Sequence, residues 1–250
     1  MLGGKRASLG GAAAAALLGM GAQALAAAPM LQNIMPFGDN RGQPTPPVAR
    51  YIGVDGQSFV FDRDAARPLL KFDDDPEVWV LEPSPAPRGD VVYRNDAGVT
   101  VLRSTRLGGL TLFTSEEPGG LPAAILGEAE LQPPPPALPP GALLQRMIQA
   151  GLHASRAAQH PITFYAPNVP PQSEPLFADA AIVAADAVGH MSRRTDGRAF
   201  LAKLEKFVFL LGAKPDVSVS GPVMQITVAP GQGFAGRPSS DRLLRAALHR

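Results

Sequence analysis

Residues 130–141 read ELQPPPPALPPG, six prolines in twelve positions. No helix and no inner strand runs through such a stretch, because each proline fixes φ and removes a backbone donor. Polyproline II is what remains, a stiff spacer of about 3.1 Å per residue. The chain is therefore expected in two parts, residues 49–129 and 142–250, with the spacer between them and the option of packing as one co-folded domain. Proline is frequent elsewhere too, 27 of 250 residues, about twice the usual ~5%. Short elements and many turns follow from that.

The first part is patterned as β. Residues 50–63 (RYIGVDGQSFVFDR) hold two apolar runs around Asp55–Gly56, a pair that supplies the positive φ of a tight hairpin. PLLKF and EVWVLE flank the turn-forming DDDP. In DVVYRNDAGVTVLR, Val91–Arg94 and Val99–Arg103 flank a turn at Asn95–Gly98, and LGGLTLFT adds another strand. Six or seven short strands at this spacing predict an antiparallel meander or a small sandwich.

The second part mixes helix and strand. Leu144, Ile148 and Leu152, with Leu143 and Met147 beside them, predict an amphipathic helix that Pro161 stops. ITFYA reads as a short strand. PLFADAAIVAADAVGHMSRR and GRAFLAKLEKFVFLLG read as two helical runs. In the latter, Phe200, Leu204, Phe207, Val208 and Leu211 form a broad apolar stripe. DVSVS-GP-VMQITVA is a hairpin pair, and Ser239 or Ser240 is placed to cap a last helix. The fold class is thus α+β: an antiparallel β-rich N-terminal half packed with a C-terminal half of three to four helices and a β-hairpin.

Lys5 and Arg6 precede an Ala-rich apolar run, and Ala24–Leu25–Ala26 supplies a small-x-small cleavage pattern. Residues 1–26 are expected to be a signal peptide clipped at Ala26/Ala27, with residues 27–48 an extended lead. The expected location is the periplasm or the medium. The chain has no cysteine and a formal charge of +1. It forms no disulfide and no thiolate metal site. Losing residues 1–26 removes two cations and no acid, which turns the charge to −1. Electrostatics therefore favours no nucleic-acid partner, and no later run is long enough for a membrane span.

Residues 229–240 (APGQGFAGRPSS) spell G-x-G-x-x-G at Gly231, Gly233 and Gly236. A dinucleotide fingerprint needs a helix opening within the glycines, a returning strand and an acidic residue about 20 positions on. Only fourteen residues follow Gly236, and Pro238 disfavours a helix start inside the run. What the chemistry does allow is an anion-binding corner of Gly231, Gly233, Gly236, Arg237, Ser239 and Ser240 at a helix start. Asp186 and His190 stand at i, i+4, an arrangement that can orient an imidazole as a general base. No G-x-S-x-G, S-x-x-K or H-E-x-x-H accompanies them. Asp73–Asp75 with Glu77 reads as a solvated turn, since the spaced ligands of a calcium loop are absent. Arg103 and Arg106 read as a solvated edge.

RYIGVDGQSFVFDR, RGDVVYRNDAGVTVLRSTRLGGLTLFT and AGRPSSDRLLRAAL together resemble an uncharacterised family of exported Gram-negative bacterial proteins carrying a domain of unknown function. The resemblance runs from about residue 49 to the end. It implies one co-folded unit that includes GRPSS, and no catalytic residue, cofactor or substrate. The functional expectation is a non-catalytic periplasmic binding or interaction module with no cofactor and no metal. Its partner would be a small anion or another envelope protein. The alternative is an envelope hydrolase working through Asp186 and His190.

Overall fold

A computed structural model describes residues 48–131 and 137–248. The predicted signal peptide, the lead as far as residue 47, the proline core 132–136 of the spacer, and His249 lie outside the described residues.

The N-terminal half holds β1 (Val48–Gly53), β2 (Ser58–Asp62), β3 (Leu69–Phe72), β4 (Val78–Val80), β5 (Glu82–Pro85), β6 (Val91–Arg94), β7 (Thr100–Ser104), β8 (Leu110–Leu112) and β9 (Leu121–Glu128). Local turn chemistry sets the register. At Asn95 the side-chain carbonyl accepts the N–H groups of Ala97 and Val99 at 3.1 and 2.9 Å, and Gly98 takes φ +76°. That is an Asx turn closed by the residue type that tolerates positive φ.

All nine strands pair antiparallel in the order β4-β3-β2-β1-β9-β8-β7-β6-β5. Only Leu81 separates β4 from β5. The two ends of the order are therefore halves of one bent strand, and the meander closes as a barrel-like sheet. A barrel of about eight strands is just wide enough for its own side chains to fill. Tyr51, Phe59, Phe61, Leu70, Leu81, Leu102 and Leu112 do so here, with Tyr51 stacked on Phe59 and Tyr93 edge-on to Phe61.

The C-terminal half runs α1 (Ala142–Ala158), β10 (Thr163–Tyr165), α2 (Glu174–Ser192), α3 (Thr195–Leu201), β11 (Lys206–Leu211), β12 (Asp216–Ser220), β13 (Val223–Val228), a 3-10 segment (Pro230–Gly236) and α4 (Ser240–Leu248). Its sheet has the order β10-β11-β13-β12, parallel except for the β12–β13 hairpin. Phe207, Phe209, Met224, Ile226 and Val228 form its buried face against α2, whose eleven buried residues surround most of its girth. Both halves belong to one compact unit, yet their apolar cores are separate clusters.

The α+β class stands, as do the hairpins at Asp55–Gly56, at Asn95–Gly98 and of β12–β13. Three details differ. The helical run expected over 197–212 ends at Leu201, and Lys206–Leu211 is a strand. In KFVFLL, alternate residues Phe207 and Phe209 are buried, and parallel neighbours on both sides complete its hydrogen bonds. Tertiary pairing thus overrides a period that fits a helix equally well. In α1 the large residues Leu144, Ile148 and Leu152 are exposed, and Met147, Ala150, Gly151 and Ala154 face inward. Small residues beside Met147 let α1 approach its neighbours closely, so the size of Leu144, Ile148 and Leu152 pointed to the wrong face. Strands β5 and β9 went unforeseen because Pro83, Pro85, Pro122 and Gly127 weaken their β signature.

Candidate functional site

Strand β13 delivers the chain into the glycine run. Ala229 N–H donates to Gly236 O at 2.7 Å, and Gln232 N–H donates to Ala229 O at 3.0 Å, so the run folds back on itself. A Cβ at Gly236 would lie 2.0 Å from Ala229 O, which makes glycine obligatory there. Gly233 takes φ +56°. Gln232 Nε2 donates to Ala213 O at 3.1 Å and ties the run to the turn that carries Lys214. The helix α4 opens only at Ser240, beyond Pro238.

Arg237 then enters a seam between the two halves. Its guanidinium is buried and donates to Asp179, to Glu77 Oε1 at 3.3 Å and to Val78 O at 2.9 Å. The Ser240 N–H donates to Glu77 Oε1 at 3.1 Å, and the Ser239 N–H to Asp96 Oδ2 at 3.1 Å. Ser239 Oγ donates to Asp96 and accepts the Arg242 N–H at 3.1 Å, which caps α4. Asn95 Nδ2 donates to Asp241 Oδ2 at 2.7 Å. The Ser239 and Ser240 N–H groups of this helix start thus already meet carboxylates of the chain itself. Gly231 and Gly233 lie in the 3-10 segment that leads into the seam.

Glu77 corrects the expectation of a solvated acidic turn: it is 1% exposed. Burial pushes its carboxyl up to about 7, only partly offset by Arg237 and the Ser240 donor. One guanidinium serves two carboxylates, Glu77 and Asp179, so the second negative charge is poorly compensated. Burial works against the charge on Arg237, but Asp179 and Glu77 outweigh it and its pKa rises.

Asp186 and His190 do not form a dyad, for no hydrogen bond joins them among the described residues. Among the described residues Asp186 Oδ2 is buried without a hydrogen-bond partner. Burial, reinforced by the charge of Asp75, pushes that carboxyl up to about 6. Burial lowers the His190 imidazole. His160 donates through Nε2 to Leu201 O at 2.8 Å. Among the described residues no three metal-binding side chains gather. Arg103, expected on a solvated edge, donates through Nε to Asp90 Oδ2 at 2.9 Å.

Beside the seam lies a cleft of about 810 Å³, lined from the barrel by Arg67, Glu82, Arg94 and Asp96 and from the C-terminal half by Lys214 and Arg242. Arg242 is engaged with Asp216 at 3.1 Å. The side chains of Arg67, Arg94 and Lys214 have no hydrogen bond or ion pair among the described residues. A second space of about 30 Å³, room for one or two waters, shares Arg67, Glu82 and Asp96 with the cleft and reaches Arg237 and Ser239. The cleft cations belong to no sequence motif. The only local hint is their position beside turn residues, Arg67–Pro68, Arg94–Asn95 and Lys214–Pro215.

No helix among the described residues is long and apolar enough to cross a membrane. No curated protein and no solved structure matches the chain. One family model, Domain of unknown function (DUF4908), matches residues 30–247, and with them all of the barrel-like sheet, the seam and the cleft; the chain belongs to that family.

Proposed function

We propose that the protein is an exported, non-catalytic binding module that takes a small anionic ligand into the cleft between its two halves. What carries this reading is the cleft itself. Three cationic side chains without partners among the described residues line one concave space of about 810 Å³, well within the size of a small-molecule site. Cations gathered at a low-dielectric wall raise the local concentration of anions. An unpaired cluster of this kind is stabilised by any ligand that neutralises it.

Two observations favour binding over hydrolysis. Asp186 and His190 are not joined, and neither lines the cleft. Among the described residues the two side chains share no hydrogen bond and stand outside the cleft, so this pair does not build a hydrolytic site there. Export is supported by the n-region at Lys5–Arg6, the Ala-rich run and the Ala24–Leu25–Ala26 pattern. The family match begins at residue 30, just after that pattern.

Calorimetric titration of the protein with phosphate, sulfate and simple carboxylates tests the ligand class. Saturable binding that weakens as ionic strength rises is the expected result. Absence of heat for every anion at 10-fold millimolar excess would remove the reading. Cell fractionation tests the location: the mature form belongs in the periplasmic fraction.

A further inference from the structure

We propose that the ligand of the cleft carries two separated anionic groups and bridges the two halves, one group held by the barrel wall and the other by the C-terminal wall. This rests on the anion-binding reading above and narrows it. The cations of the cleft come from two separately cored bodies. Arg67, in the β2–β3 connection, and Arg94, at the end of β6, belong to the barrel. Lys214, in the β11–β12 turn, belongs to the C-terminal half, as does Arg242 of α4. A monoanion neutralises one wall and leaves the charge of the other unmet. A ligand with two anionic ends meets both, and its second contact forms as an intramolecular event with a high effective concentration.

The acids in the cleft refine this further. Glu82 lies opposite Arg94 in the β5–β6 pair, and Asp96 is held by Ser239. Both carboxylates line the cleft. A ligand charged along its whole length meets repulsion from them. One whose anionic ends are separated by a neutral or hydroxyl-bearing segment does not, and such a segment can donate to Glu82. The chemical class is therefore a small dianion with a neutral middle, such as a dicarboxylate or a sugar acid bearing a second acidic group. Because the ligand touches both halves, its binding also clamps them together. The apparent stability of the whole unit then rises with ligand concentration.

The test compares mono- and dicarboxylates of matched chain length, from butyrate and succinate upward, by calorimetry and thermal melting on the full chain. Binding at least 10-fold tighter for one dicarboxylate than for its monocarboxylate is expected. The Arg67→Gln/Arg94→Gln double variant and the Lys214→Gln variant should each bring the dicarboxylate down to the monocarboxylate level. All three residues are exposed, and unchanged melting of the unliganded variants certifies their folding. Equal affinity for mono- and dicarboxylates would overturn the bridge while leaving the anion site standing. So would a dicarboxylate preference that survives either variant. Failure of every anion to bind would remove both this inference and the reading it rests on.

Discussion

The seam and the cleft adjoin one another and use the same two ingredients, guanidinium or ammonium against carboxylate, under opposite conditions of burial. In the seam Arg237 and Glu77 are almost fully buried, and each finds its partners within the chain. In the cleft Arg67, Arg94 and Lys214 are exposed and find none among the described residues. Burial explains the difference. A charge withdrawn from water costs several kcal/mol unless it is paired on the spot, whereas an exposed cation is solvated and can wait for a ligand. The seam is thus a structural joint between two apolar cores that do not merge, and the cleft is the part of the same junction left open.

The largest effect is expected at Arg237. Replacing it with methionine leaves Glu77 and Asp179 facing each other without their shared cation. Removing one partner of a buried pair costs about 3–5 kcal/mol, so a large drop in the urea midpoint is predicted. A midpoint within error of wild type would mean that the two halves are joined by something other than the seam. Loss of soluble protein would agree with the prediction, and Arg237→Lys should then recover folding in part, because it restores the charge without the three-way hydrogen bonding.

The next effect is on pH dependence. The Glu77 carboxyl has an ordinary value of 4.5 and is pushed up to about 7 in the fold. Between those values the native state holds a proton that the unfolded chain has released. Stability from Glu77 is therefore full at the acid end of that window and falls as pH rises through it. Asp186, pushed up from 3.8 to about 6, acts with the same sign, and His190, lowered by burial, acts with the opposite sign. The informative quantity is accordingly the difference between wild type and Glu77→Gln. Wild type should lose stability relative to the variant from pH 5 to pH 8, measured by melting at each pH. Parallel profiles would show that Glu77 stays charged throughout and that Arg237 serves both acids.

How far this junction was legible beforehand depends on sequence separation. GRPSS announced itself by composition, and the cap at Ser239 follows from local rules. Its partners did not, because Glu77 lies 160 residues from Arg237 and Asp96 lies 143 from Ser239. The same contrast runs through the fold. Hairpins at Asp55–Gly56 and Asn95–Gly98 are dictated within a few residues, and both were readable. The closing pair β1–β9 and the parallel strand β11 depend on distant neighbours, and neither was. In α1 the period was right, but Leu144, Ile148 and Leu152 were given the inward face, whereas Met147 goes inward with the small residues Ala150, Gly151 and Ala154. The cleft cations come from separate turns and share no spacing that a motif could hold.

Ser239 tests the border between seam and cleft at an intermediate size. Its hydroxyl caps the Arg242 N–H and holds Asp96, which lines the cleft. Ser239→Ala is expected to cost about 1 kcal/mol, the usual worth of a helix cap. It also frees Asp96 to turn toward Arg242, now 3.9 Å away. Anion affinity should fall as that carboxylate takes up a cation of the cleft. A loss of stability with no change in affinity would separate the cap from the site.

The smallest effect on stability is predicted in the cleft, and its smallness is what distinguishes the two regions. The side chains of Arg67, Arg94 and Lys214 make no hydrogen bond or ion pair among the described residues, so replacing each with glutamine removes no polar interaction among them. Exposed substitutions of this kind stay within about 0.5 kcal/mol, and relief of mutual repulsion between like charges pushes the change toward stabilisation. Melting of the triple variant should therefore match or slightly exceed wild type in the absence of anion. With a bound anion present the order should reverse, because only the wild type gains from the ligand. A triple variant that is clearly less stable without anion would mean that these cations are paired after all, and the cleft would then be a second seam.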